Sequence, residues 1–128
     1  VKNIIIIVVL LLITTACSTN HKNLEDLNRV DVHQNGEDWM VTDQDEIDQL
    51  REIFKSIEWR EGSPRKEQIH NLKLVLFFLY DKNMPERLVD YYIWADPTQI
   101  LLWDKEENRM GMLNQSASEK LLNIIHKK

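Results

Sequence analysis

The chain has 128 residues with 21 acidic and 16 basic side chains, a net charge of −5, and a single cysteine. An acidic surface is repelled by phosphate backbones and anionic headgroups, so nucleic acid is excluded as a natural partner and so is electrostatic adhesion to membranes. One thiol cannot form an internal disulfide, so folding must come from one apolar core, for which the length suffices.

Lys2 precedes an unbroken apolar run, Ile4 to Ile13, followed by the small residues Thr14, Thr15 and Ala16 and then by Cys17. That order is the order of a secretory signal. The run is too short to cross a bilayer as a permanent helix, which takes about 20 residues. With cysteine after the small residues, LLITTACS resembles the lipobox of bacterial lipoproteins, although Thr14 stands where an aliphatic residue is usual and Ile13 lies one place further back. The resemblance implies that residues 1–16 are a lipoprotein signal peptide, and that Cys17 is lipidated with a diacylglycerol and becomes the membrane anchor. An ordinary secretory signal cut near Ala16 is the competing reading. Val1 reads as an alternative initiation codon.

Residues 17–29 are expected to be the lipidated cysteine and a flexible polar tether (STNHKNLEDLNR), with His21 solvated. One extracytoplasmic domain is expected over 30–128. It opens with VDVHQ-NG-EDWMV, where Asn35-Gly36 suits a type I′ turn and pairs Val32 with Trp39 and Val30 with Val41. A loop followed by one short strand is the alternative. The spacing of Ile47, Leu50, Ile53, Phe54 and Ile57 predicts a helix over 43–57, capped at Thr42 or Asp43. Asp45, Glu46 and Asp48 fit the positive end of that helix and lack the glycine and spacing of a calcium loop, so they are not read as metal ligands.

EGSPRK (61–66) reads as a break. His70 to Tyr80 reads as a long central strand, with Leu72, Leu74, Leu76, Phe78 and Tyr80 on one face and Lys73, Val75, Phe77 and Leu79 on the other. Strands are also predicted over 87–95, 99–103 and 109–113. Ser116-Ala117-Ser118-Glu119 has capping-box form and introduces a last helix burying Leu121, Leu122, Ile124 and Ile125. The fold class is therefore α+β, an antiparallel sheet of about four to six strands with two helices packed on one face.

If the helices cover the Leu72/Leu74/Leu76/Phe78 face, the opposite face carries Phe77, Tyr92, Trp94 and Trp103, with Val75 and Asp90. Left open, it is a candidate interaction surface. Large apolar patches are uncommon on monomers, which favours its being covered by the hairpin through Trp39 or by the 59–69 loop. Asp90 between aromatics could bind a cationic group or simply pair with a basic neighbour. His33, His70 and His126 have no metal-ligand spacing, and no nucleophile turn, H-E-x-x-H motif or glycine-rich phosphate loop is present.

LLITTACS, WMVTDQDEIDQL, YYIWADPTQILLWD, RMGML and SASEKLLNII together resemble small Gram-positive lipoproteins of the YhfM-like kind. The resemblance implies an extracytoplasmic lipoprotein and transfers no catalytic residue. The expected function is a non-enzymatic, lipid-anchored domain on the extracytoplasmic side of the cell membrane that binds an envelope protein or component, with no cofactor beyond the lipid on Cys17. The alternatives are a small-molecule binding or sensing domain with a pocket near Trp94 and Asp90, and an envelope enzyme built from scattered acids.

Overall fold

Seven strands and two helices follow one another in a computed structural model that describes residues 23–65, 70–95 and 98–126. The signal peptide, Cys17 and His21 lie outside the described residues. The strands are β1 (Leu27–Gln34), β2 (Glu37–Val41), β3 (Glu58–Glu61), β4 (Leu72–Phe78), β5 (Arg87–Ala95), β6 (Ile100–Asp104) and β7 (Arg109–Leu113). Helix α1 (Gln44–Lys55) joins β2 to β3, and α2 (Gln115–Ile125) closes the described chain. All strand pairs are antiparallel in one sheet of order β2-β1-β4-β5-β6-β7-β3. The architecture is the expected α+β one, with more strands than the four to six expected.

The β1–β2 hairpin forms as its turn chemistry requires. Asn35 and Gly36 both take positive φ, 52° and 79°, the type I′ pattern whose twist matches that of the flanking strands. Val32 pairs with Trp39 and Val30 with Val41. Helix α1 starts where Asp43 accepts a hydrogen bond from the Glu46 N–H at 3.0 Å, and Ile47, Leu50, Ile53 and Phe54 face inward.

Val30, Val32, Leu72, Leu74, Leu76, Phe78, Val89, Tyr91, Ile93, Ile100, Leu102 and Leu113 make one buried face of the sheet. Both helices pack there, α2 contributing Ala117, Leu121, Ile124 and Ile125 to the same core. Ser118 ties α2 to the sheet. Its hydroxyl donates to the Leu113 carbonyl at 3.3 Å and accepts from the Ile100 N–H at 3.1 Å.

Four expectations are corrected. The tether does not run to Arg29: Asn23 caps a 3₁₀ turn at Leu24–Asp26, and Leu27, fully buried, already pairs with Phe78. Arg51 fastens this segment by donating to the Leu24 and Leu27 carbonyls at 3.1 and 2.6 Å. Glu58–Glu61 is an edge strand on β7 rather than the approach to a break, and Trp59 is the one apolar side chain it offers. Tyr80 lies beyond β4 and is 43% exposed, stacked on Phe78 at 6.3 Å. The cap of α2 is Asn114, which accepts from the Ala117 N–H at 2.8 Å, so Ser116 is already inside the helix and Ser118 is occupied by the sheet.

Candidate functional site: the aromatic sheet face

Alternation along the strands decides which side chains share the face away from the helices. Arg29, Asp31 and His33 of β1, Lys73, Val75 and Phe77 of β4, and Leu88, Asp90, Tyr92 and Trp94 of β5 stand on it. Leu101 and Trp103 of β6 and Met110 and Met112 of β7 continue it. Phe77, Asp90, Tyr92, Trp94 and Trp103, named from sequence, thus share one surface.

The register arranges them in rows across the strands. One row runs His33, Lys73, Tyr92, Trp103, Met110. Tyr92 and Trp103 lie 5.5 Å apart, and the Lys73 ammonium sits 5.7 Å from the Tyr92 ring centroid. A second row runs Trp94, Leu101, Met112. Six apolar side chains therefore meet over β5, β6 and β7. Phe77 lies apart from them, under the Arg29 guanidinium at 4.4 Å and opposite Leu88.

On β1, β2, β4 and β5 the charges of this face are paired within it, and Glu58 and Arg60 of β3 stand at its outer edge opposite Met112 and Met110. Arg29 makes two hydrogen bonds to Asp31, at 2.6 and 2.8 Å, and the carboxylate holds the guanidinium above its ordinary pKa. Lys73 lies 3.5 Å from Asp90, so Asp90 is paired with a basic neighbour rather than standing free between aromatics. His33 is 2.6 Å from Asp38.

The hairpin does not cover the face. Because Val32 pairs with both Leu74 and Trp39, the Trp39 side chain falls on the helix side and packs on the core. Trp59 also goes to the helix side, 5.6 Å from Tyr91. From the connection before β4, His70 reaches the aromatic face, 4.8 Å from Tyr92 and 6.4 Å from Trp94. The face side chains are half-buried, while Met40 and Leu88 are 60% and 52% exposed; residues 66–69 of the loop expected to cover the face lie outside the described residues. The Nε1 atoms of Trp94 and Trp103 are shielded from solvent and have no acceptor among the described residues.

Sequence reasoning put Leu88 on the same side as Asp90, Tyr92 and Trp94 but missed Leu101, Met110 and Met112 as members of the patch, although alternation counted outward from Trp103 places them there. It also missed a buried cluster on the helix side. Asp104, fully buried, takes Arg109 at 3.3 Å and the Glu107 N–H at 3.3 Å. The Arg109 guanidinium lies 4.0 Å over the Trp59 ring, and burial beside Asp104 raises the Tyr91 phenol well above its usual range. This cluster fastens β3 and the β6–β7 turn to the sheet.

A cavity of about 670 Å³ opens between the helices, lined by Asp48, Gln49, Glu52, Ile53 and Ser56 of and just after α1, and by Asn114, Ser116, Ala117 and Lys120 at α2. It is on the opposite side of the sheet from Trp94 and Asp90. Among the described residues no group of His, Cys, Asp and Glu is arranged to hold a metal, and no helix is long and apolar enough to cross a membrane.

No protein-family model and no curated protein matches the chain. Among solved structures, a thioesterase-like protein from Clostridium sporogenes is similar, with a TM-score of 0.57 and 15% identity over 80% of this chain and 96% of that one. That likeness concerns the fold alone.

Proposed function

We propose that this chain is an extracytoplasmic lipoprotein of the YhfM-like kind, anchored through a diacylglycerol on Cys17, and that its domain is a non-enzymatic binding module working through the aromatic sheet face. The observation that carries the binding part is the meeting of Tyr92, Trp94, Leu101, Trp103, Met110 and Met112 on the side of the sheet away from both helices. Aromatic residues and methionine are what protein interfaces enrich, and a ring of paired charges is their usual rim. The leader and its cysteine carry the anchoring part.

The test is crosslinking in intact cells, with mass spectrometry of adducts to the native chain and to Trp94→Ala. A dominant adduct lost in the variant supports the reading, and identical adducts in both refute it. Membrane fractionation of Cys17→Ser tests the anchor separately: the variant should leave the membrane pellet.

A second reading rests on the cavity between α1 and α2, which has the size of a small-molecule site. It lies on the other side of the sheet from the pocket expected near Trp94 and Asp90. Its rim carboxylates Asp48 and Glu52 are paired with Arg51 and Lys55, which favours ligand recognition over acid–base chemistry. The thioesterase-like description of the similar structure makes thioester hydrolysis the enzymatic alternative. Turnover of acyl thioesters by the purified chain, abolished by filling the cavity with Ala117→Trp, would favour it.

A further inference from the structure

We infer that the occupant of the aromatic sheet face is a second copy of this chain, packed sheet to sheet; the inference rests on the reading of that face as a binding surface.

Size is the first argument. The face spans seven strands at about 4.8 Å spacing and four rows of side chains along them, roughly 30 Å by 20 Å, hence roughly 600 Å² of footprint on each copy. Pairing two such faces removes roughly 1,200 Å² from solvent before side-chain relief is counted, which reaches the range of stable interfaces and exceeds typical incidental contacts. Met40 and Leu88, more than half exposed on the β2-to-β5 half of the face, would be covered by such a partner.

Charge is the second. The chain carries a net −5, so two copies repel in general. On this face the balance is closer, because Arg29 is matched by Asp31, Lys73 by Asp90 and, in number, Arg60 by Glu58, with Asp38 beside His33 the one acid left over among the described residues. Most of the excess acid lies elsewhere, so this is a surface on which like chains approach with little net repulsion. A two-fold axis lying in the interface across the strands sets the β1–β4 half, where cation and anion alternate, against its own copy. The same axis sets the Trp94, Trp103, Met110 and Met112 half against itself. Aligned sheets packed about 10 Å apart are an ordinary arrangement for two inner faces of this kind.

The experiment places the photoreactive benzoylphenylalanine at Tyr92 or Leu88 in the full chain, in intact cells, with Met84, 62% exposed and off the face, as the control position. The expected result is an adduct at twice the mass of the uncrosslinked cellular protein from positions 92 and 88, at least tenfold stronger than from 84, carrying both tags when two tagged versions are co-expressed. Adducts from 92 and 88 to other proteins alone overturn the second copy and leave the binding face standing. Absence of any adduct overturns both. Because a probe at half-buried Tyr92 can disturb the sheet, exposed Leu88 provides the independent position, and circular dichroism of each variant establishes that the β-sheet signal is retained.

Discussion

Gly111 is the position at which a single methyl group should cost most for its size. It lies on β7 opposite Trp59, and a Cβ there would stand 2.5 Å from Ile57 Cγ2 and 2.9 and 3.0 Å from Trp59 ring carbons, against ordinary contacts of 3.4 Å or more. Neither neighbour can give easily: Ile57 is 7% exposed, and the Trp59 ring is held between Tyr91 and the Arg109 guanidinium. Overpacking of this kind costs about 1–3 kcal/mol, offset by the 0.5–1 kcal/mol or so that alanine gains over glycine in a strand. The net loss for Gly111→Ala is thus about 1–2 kcal/mol, a fall in Tm of roughly 4–15 °C for a domain of this size. Thermal unfolding followed by circular dichroism measures it, with urea unfolding as a check that the slope is unchanged. Ile57→Leu moves the offending methyl off the β-carbon at nearly constant volume, so Gly111→Ala should cost less in that background. An unchanged Tm for Gly111→Ala, or an equal cost in both backgrounds, refutes the account of how β3 sits on β7.

Three further outcomes follow from the same contacts. Asn114→Ala should destabilise by about 1 kcal/mol through loss of the α2 cap while Ser116→Ala changes stability by a few tenths, and denaturant midpoints for the pair decide which residue caps the helix. Arg109→Met should cost more than Asp104→Asn, by more than about 1 kcal/mol, because Asp104 is fully buried and Arg109 is a third exposed: removing the cation takes Arg109 from beside a buried charge, whereas removing the charge leaves a cation that water reaches. The Tyr91 phenol is raised above its ordinary 10.0 by burial and by Asp104, so the native state holds the proton more tightly than the unfolded chain. Stability from this group is fully present below about pH 10 and falls as pH rises beyond it; in Tyr91→Phe the alkaline fall should be shallower, as unfolding at pH 8 and pH 11 would record.

What was legible in the sequence was what local physics decides. The hairpin register follows from two positive-φ residues and two valines, and β5 and β7 emerge at their observed limits from alternation and flanking turns. Helix α1 announces itself by four buried positions and an aspartate cap. Features resting on pairings far apart in sequence were not legible. Trp39 goes to the helix side because Val32 meets Leu74, some forty residues on. Strand β3 has one apolar side chain in four and exists because β7 offers it a free edge. Leu24 and Leu27 are too sparse to give a period, and only the Arg51 hydrogen bonds and the partner strand β4 explain their order. Four of the five face residues were found because aromatics draw notice, and Asp90 because it alternates with them; Leu101, Met110 and Met112 were found by register alone.

The strand order also dictates a sequence of assembly. Strands β4 to β7 are consecutive neighbours joined by short connections, a ribbon that can zip locally. Strands β1 and β3 lie on opposite flanks of that ribbon, β1 on β4 and β3 on β7, although α1 and β2 are all that separates them in the chain. Strand β1 can dock once β4 is complete at residue 78, whereas β3 has nowhere to dock until residue 113 is available, with α1 laid across as the strap between them. A chain threaded amino-terminus first through a narrow conduit could pair β1 with β4 midway, but would complete its sheet only near the end of its passage.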